Sequence, residues 1–382
     1  MAAFIVSGIA SSPSASRCVL HFTPNWFAAT MGTGILAICL AQFPNAPALT
    51  AVGEVLWLSN IVLFVGLALL YAAKLIRHRR EAMRIFAHPV ASMFFGCIPM
   101  GLATIVNGTV IFGIARFGDA AVPVAIGLWW FDAALAVLSG LAIPFAMVTR
   151  QTHVLEEMSA VWLLPVVACE VTAASGGLLL PHIPGASDQM TVLFASYVLW
   201  AASVPLALGL LSILFLRMVL HKLPPASMAS TAFLSLGPIG TGALGLSLFA
   251  LNGNAVLAAN GLGLFAGAMS GAAFLGAILL WAYGLWWLGM ALAITARYVA
   301  NGLPFNLGWW GYTFPIGVYA VATMRLAAAL HFPALAMFGA VLVIVLAAIW
   351  IVVAVRTCFG AVDGTLFVDP SLADGASSGL TR

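Results

Sequence analysis

The sequence predicts an all-α membrane protein of ten transmembrane helices, paired as five helical hairpins with the odd helices inside and the even helices outside. Three observations carry that expectation. The composition is apolar and almost uncharged, the cations fall on one side, and a proline returns once per hairpin.

Of 382 residues, 63% are hydrophobic and 7% are charged, against about 25% charged in a soluble domain. So few charges cannot cover the surface of a soluble fold of this size. That excludes a cytosolic enzyme, a disordered chain and a nucleic-acid binder. A membrane span takes ~20 apolar residues, so ten spans need roughly 200 positions, close to the supply.

Apolar runs follow one another at 24–43, 52–76, 90–114, 122–148, 159–180, 190–216, 229–251, 266–295, 305–328 and 332–355. They define a transmembrane domain over 21–356. Residues 1–20 read as a short cytoplasmic tail, because Phe4–Ile9 lacks the basic flank and long apolar core of a signal peptide. Residues 357–382 read as a flexible cytoplasmic tail with nothing to bury, carrying Asp363, Asp369, Asp374, Ser377 and Ser378. The uncharged stretch 252–295 admits one long span with a buried connection, or two short spans, and leaves 252–265 open.

Cation placement decides between these. With ten spans, Arg17, Lys74, Arg77, Arg79, Arg80, Arg84, Arg150, Arg217, Lys222, Arg297, Arg356 and Arg382 share one side, and only Arg116 and Arg325 lie toward the other. An excess of Lys and Arg marks the cytoplasmic side, so both termini are expected there.

Taken in order, the odd spans carry Pro24, Pro99, Pro165, Pro238 and Pro315, 66 to 77 residues apart. Each has glycine or small polar companions. The first span has Gly32, Thr33 and Gly34, the third Gly96 and Gly101, the fifth Ser175, Gly176 and Gly177. The seventh has Gly237, Gly240 and Gly242, and the ninth Thr313 and Gly317. The even spans are plainer, although the fourth and sixth hold Pro144 and Pro205. A period near 70 residues is one out-and-back hairpin.

Proline removes a backbone donor and opposes the carbonyl one turn back. In a bilayer such interruptions are tolerated only against protein or beside a watery cavity. The odd helices are therefore expected to face one another around a central pore. Gly32, Thr33, Gly34, Pro99, Pro165, Gly176, Pro238, Gly240 and Pro315 are the candidate pore-lining residues. The competing reading is that glycine and proline serve close helix packing.

Mid-span charge is scarce. Asp132 lies in the fourth span and Glu170 in the fifth, with no carboxylate cluster to bind a cation. A lumen of glycine, hydroxyls and helix partial charges suits a weakly held anion. Asp132, on an even helix, is expected to bond a neighbouring helix. Glu170 lies near mid-membrane, where an ionised carboxylate costs ~3 kcal/mol or more, so it is protonated, paired or water-facing. It is the candidate for proton coupling, the alternative being a carboxyl bonded between helices. The seven histidines sit near span ends, and the five cysteines have no ligand spacing. No metal site, cofactor or nucleic-acid partner is expected.

The run Pro304-Phe305-Asn306-Leu307-Gly308-Trp309-Trp310-Gly311-Tyr312-Thr313-Phe314-Pro315-Ile316-Gly317 resembles the ninth helix of the tellurite-resistance/dicarboxylate transporter family. Phe22-Thr23-Pro24-Asn25-Trp26-Phe27, Met31-Gly32-Thr33-Gly34 and His88-Pro89 agree with it. That family includes bacterial tellurite-resistance proteins, fungal malate permeases and sulfite exporters, and plant slow anion channels. The resemblance implies a homotrimer in the plasma (inner) membrane, moving small anions such as malate, other C4-dicarboxylates or oxyanions. It also implies a pore gate at Phe314, whose alternative is a core aromatic between helices. Sulfite or tellurite-type efflux is the rival substrate reading, and channel and proton-coupled carrier both fit. A membrane-embedded redox enzyme is the reading from a different class. The chain has no paired carboxylates, histidine cluster or GxGxxG to support it, so no enzyme activity is expected.

Overall fold

The computed structural model describes residues 15–372, and among them the chain forms helices and no strand. Residues 1–14, including Phe4–Ile9, and the Asp374–Ser378 part of the expected tail lie outside the described residues. The helices are α1 (Ala15–His21), α2 (Ala28–Leu40), α3 (Pro47–Arg77), α4 (Arg79–Ala87), α5 (Cys97–Gly108), α6 (Ile114–Phe117), α7 (Ala121–Thr149), α8 (Leu163–Leu179), α9 (Ala186–His221), α10 (Thr231–Leu234), α11 (Leu236–Ala259), α12 (Gly263–Ala300), α13 (Thr313–Leu330) and α14 (Pro333–Val362). Eight continuous helical runs among the described residues are long and apolar enough to cross a membrane, and a further apolar run, Pro24–Leu40, is shorter.

Two kinds of helix result. In the most apolar stretch of Ala160–His182, 94% of residues are buried, whereas in Pro47–Arg77 and Gly263–Ala300 the figure is 17%. The buried kind, α2, α5, α8, α11 and α13, closes a ring. Each packs on the next, and α13 packs back on α2. The exposed kind leans outside on its chain neighbour, α3 on α2, α7 on α5, α9 on α8, α12 on α11 and α14 on α13. Their outward faces carry large apolar side chains such as Val62, Leu69, Val148, Leu264 and Ile344. In water that surface would be unfavourable at ~25 cal/mol per Å², and in lipid it is not.

The repeating prolines act differently from the expected mid-helix kink. Pro99, Pro165, Pro238 and Pro315 are each the third residue of their α-helix. The first four N–H groups of a helix have no intrahelical partner, so the donor that proline lacks is not missed there. In α5, α8 and α13 a 3₁₀ turn runs directly into the helix, over Ala91–Gly96, Ala160–Trp162 and Leu307–Tyr312. Pro24 opens the equivalent turn, Pro24–Phe27, before α2. The inner helices are accordingly short, 12 to 24 residues, against 29 to 38 for the outer ones.

The open stretch 252–265 resolves into the end of α11, a turn in which Gly261 takes φ 78°, and the start of the single 38-residue α12. At Gly118 (φ 63°) the 91–149 run breaks, and beyond it α7 packs against α5. The reading of 357–382 as a tail with nothing to bury needs correction for its first part. Helix α14 continues to Val362, and Asp369 is fully buried in an ion pair with Lys74 (2.5 Å).

Candidate functional site

The 3₁₀ turns and helix starts of the inner ring converge on one cavity of about 250 Å³. Each inner column, taken as an inner helix with the turn or short helix that leads into it, contributes to its wall, although no residue of α11 itself does. Asn25 and Met31 come from the α2 column, Phe94 and Cys97 from α5, Val161 and Leu164 from α8. Ser230 and Leu234 come from the α10–α11 column, and Asn306, Phe314 and Pro315 from α13. Along each column the lining stops at Met31, Cys97, Leu164, Leu234 and Pro315, and no residue further along any inner helix reaches it. The lining thus ends at the level of Phe314, the second residue of α13 and 3% exposed.

No Asp, Glu, Lys or Arg lines this space among the described residues; its polar groups are Asn, Ser and Thr side chains. Several are already engaged. Asn306 caps its 3₁₀ turn through Gly308 N–H (2.7 Å) and donates to Ser227 O (3.0 Å), and Thr231 donates to Met228 O (2.7 Å). The backbone supplies the remaining polarity. No side chain caps the turns opening at Thr23 and Ser159, or α10 at Ser230. At the α5 column, His88 Nδ1 accepts from Val90 and Ala91 N–H (3.1 and 3.0 Å). Helix N-termini carry partial positive charge, equivalent to roughly half an elementary charge each. Five gathered at one neutral cavity attract an anion without binding it tightly.

The glycines named from sequence face elsewhere. A Cβ on Gly32 would collide with Thr313 and Trp310, on Gly34 with Thr104 and Asn60, on Gly176 with Ser196 and Trp129, and on Gly240 with the backbone of Tyr319. These positions let helices approach closely. Thr33 Oγ1 accepts from Trp350 Nε1 (3.1 Å), which turns it toward α14. Pro99, Pro165 and Pro238 are buried at helix starts, and of the four α-helix prolines Pro315 alone lines the cavity. Hydroxyls reach the cavity from Ser227, Ser230 and Thr231. Thr30, Thr104 and Thr313 donate to carbonyls three residues back (2.7 Å each), an alternative that a helical Ser or Thr always has at hand.

Glu170 is fully buried, and neither carboxyl oxygen finds a hydrogen bond. Ser203 of α9, beside it, spends its proton on Val166 O (2.8 Å). Glu170 therefore lies between α8 and α9, outside the cavity lining. Asp132 accepts from Thr172 (2.7 Å), the inter-helix bond expected for it. No group of three or more His, Cys, Asp or Glu among the described residues could share a metal ion.

Tolerance to added bulk separates the close contacts from the lipid face. Gly96→Ala would set a Cβ onto the Leu164 carbonyl and 2.7 Å from Pro165 N. Backbone cannot swing aside, so a loss of about 1–3 kcal/mol is expected in thermal unfolding in detergent. Gly66→Ala in α3, with nothing within 4 Å of the new carbon, is expected to leave stability unchanged or slightly raised.

Sequence signals for the cavity rim were present but pointed to helix starts. Asn25 and Asn306 stand just inside and just before 3₁₀ turns, in the two segments that carry the family resemblance.

The family described as voltage-dependent anion channel (SLAC1) matches residues 21–358. The chain is similar to the sulfite efflux pump SSU1 of Arthroderma otae, 35% identical over 91% of this chain and 93% of that protein. It is also similar to the uncharacterized transporter MJ0762 of Methanocaldococcus jannaschii, 29% identical over 92% and 98% respectively. The malic acid transport protein of Schizosaccharomyces pombe is 22% identical over 88% of this chain and 77% of its own length.

Proposed function

The chain belongs to the voltage-dependent anion channel (SLAC1) family and is a multi-pass membrane anion transporter, and on that premise we propose that it moves small oxyanions of the sulfite class through the axis of its inner ring. The carrying observation is the uncharged cavity at which the five inner columns begin, with Phe314 among the residues where its lining ends; in this reading the phenyl ring closes the passage. The wall offers partial charges and no fixed cation, so an anion enters without being trapped, and dehydration cost and width discriminate among anions. Malate-type C4-dicarboxylates are the second reading, favoured by the malic acid transport relative.

In this reading ten helices cross the bilayer as five hairpins. The eight apolar runs support that number once 91–149 is divided at Gly118 and Pro24–Leu40 is added. Both termini face the cytoplasm of a plasma membrane, since twelve of the fourteen cations share that side. The cavity then opens to the cytoplasm, a direction suited to efflux. The working unit is a homotrimer, as in the family.

Flux into proteoliposomes of sulfite, malate, succinate, nitrate and chloride, with and without a pH gradient, tests the proposal. Sulfite is expected to outpace malate, and a protein that carries none of the five overturns it. Where flux follows the pH gradient, Glu170 is the group that takes the proton, being a ring-wall carboxyl with neither oxygen bonded. Glu170→Gln is expected to flatten the dependence of flux on pH. An unchanged profile returns the carboxyl to packing between α8 and α9.

A further inference from the structure

At the opposite ends of α2 and α13 a second basin opens, about 610 Å³ in volume. Gln42, Ile111, Arg325, Ala328 and His331 line it, with no carboxylate among the described residues. Arg325 follows Phe314 on α13 by eleven residues, which is three turns and ~16 Å of rise. Both side chains consequently leave α13 from the same face, one where the lining of the cavity ends and the other in the basin.

The electrostatic setting of the basin is the reverse of the cavity's. α2 ends at Leu40 and α13 at Leu330, so helix C-termini with partial negative charge face an anion arriving here. A compensating cation is needed for passage. Arg116, the other cation at this end, is engaged with Glu54 (2.7 Å). Among the described residues Arg325 has no such partner, and its Nε is buried without a hydrogen bond. An unengaged guanidinium presents parallel N–H donors that match two neighbouring oxygens of one anion, a geometry that a spherical halide cannot use.

We infer that Arg325 forms an oxyanion-binding site at the far mouth of the pathway, selecting anions with two adjacent oxygens over halide. The inference rests on the proposed anion transport. The site attracts the anion against the helix C-termini and holds it one helix length from the phenyl ring.

The test uses purified wild type, Arg325→Lys and Arg325→Gln, compared at equal monodispersity. With anion applied to the basin's face, Arg325→Gln is expected to raise the half-saturating concentration of sulfite about tenfold or more and that of chloride by much less. Arg325→Lys keeps the attraction and loses the preference for sulfite over chloride. Separately, sulfite should raise the unfolding temperature of the wild type more than equal chloride, and Arg325→Gln should abolish the difference. An unchanged sulfite-to-chloride ratio in Arg325→Gln, or a sulfite-induced shift that survives it, overturns the site. Wild-type protein that carries no anion sinks the transport reading instead, and the unfolding shift still decides the site.

Discussion

Phe314→Ala is expected to raise anion flux about tenfold or more in proteoliposomes, which corresponds to ~1.4 kcal/mol or more taken from the barrier. The ring stands where the lining of the cavity ends on α13, flanked by Pro315 and fully inside the helix ring. A phenyl group at a constriction blocks by bulk and by excluding water, and an anion must shed much of its hydration to pass it. Alanine removes the bulk and keeps the helix, since it is the best helix former. Phe314→Leu, apolar and nearly as large, should give a smaller rise. Equal flux from wild type and Phe314→Ala at equal protein would assign the ring to packing between helices.

Lys74→Met is expected to destabilise the protein by about 3–5 kcal/mol, read as a lower unfolding temperature and poor recovery from detergent. Lys74 is fully buried at the end of α3, where Nζ donates to Asp369 Oδ2 (2.5 Å) and Phe22 O (2.8 Å). Methionine leaves Asp369 buried with its charge unpaired, which costs more than the ion pair itself contributes. Asp369 Oδ1 would keep only the Ser371 backbone N–H (3.0 Å) and hydroxyl (2.6 Å). Adding Asp369→Leu to Lys74→Met should therefore recover much of the loss. If the double variant is as unstable as the single, the ion pair is not the source. The effect extends to the cavity mouth, because Phe367 stacks on Trp26 (4.8 Å), next to the lining residue Asn25.

The helical class and the inner and outer kinds of helix were legible in hydropathy and in the spacing of Pro24, Pro99, Pro165, Pro238 and Pro315. The meaning of those prolines was not. A proline in an apolar run reads equally as a mid-helix kink or a helix start, and only the preceding 3₁₀ turns, or α10 in the case of Pro238, decide. Nor does a glycine reveal in sequence which helix its bare face meets. Gly176 meets α7 and α9, and Gly240 meets α13, because ring geometry sets those directions. The ion pair of Lys74 with Asp369 joins residues 295 positions apart, so no local pattern announces it. Phe314 was reached through a motif, and its place at the end of the cavity comes from five chain segments meeting in space.

In the proposed mechanism one axial pathway begins in this cavity and is shut at Phe314. It is tested most directly by thiol labelling of Met31→Cys, in a chain whose Cys18, Cys39, Cys97, Cys169 and Cys358 have been replaced. A membrane-impermeant anionic thiol reagent is added to either face while flux is recorded. Block is expected from the cavity's face in every case, and from the opposite face only when Phe314→Ala is also present. Block from the opposite face with Phe314 intact, or no block from either face, would contradict it.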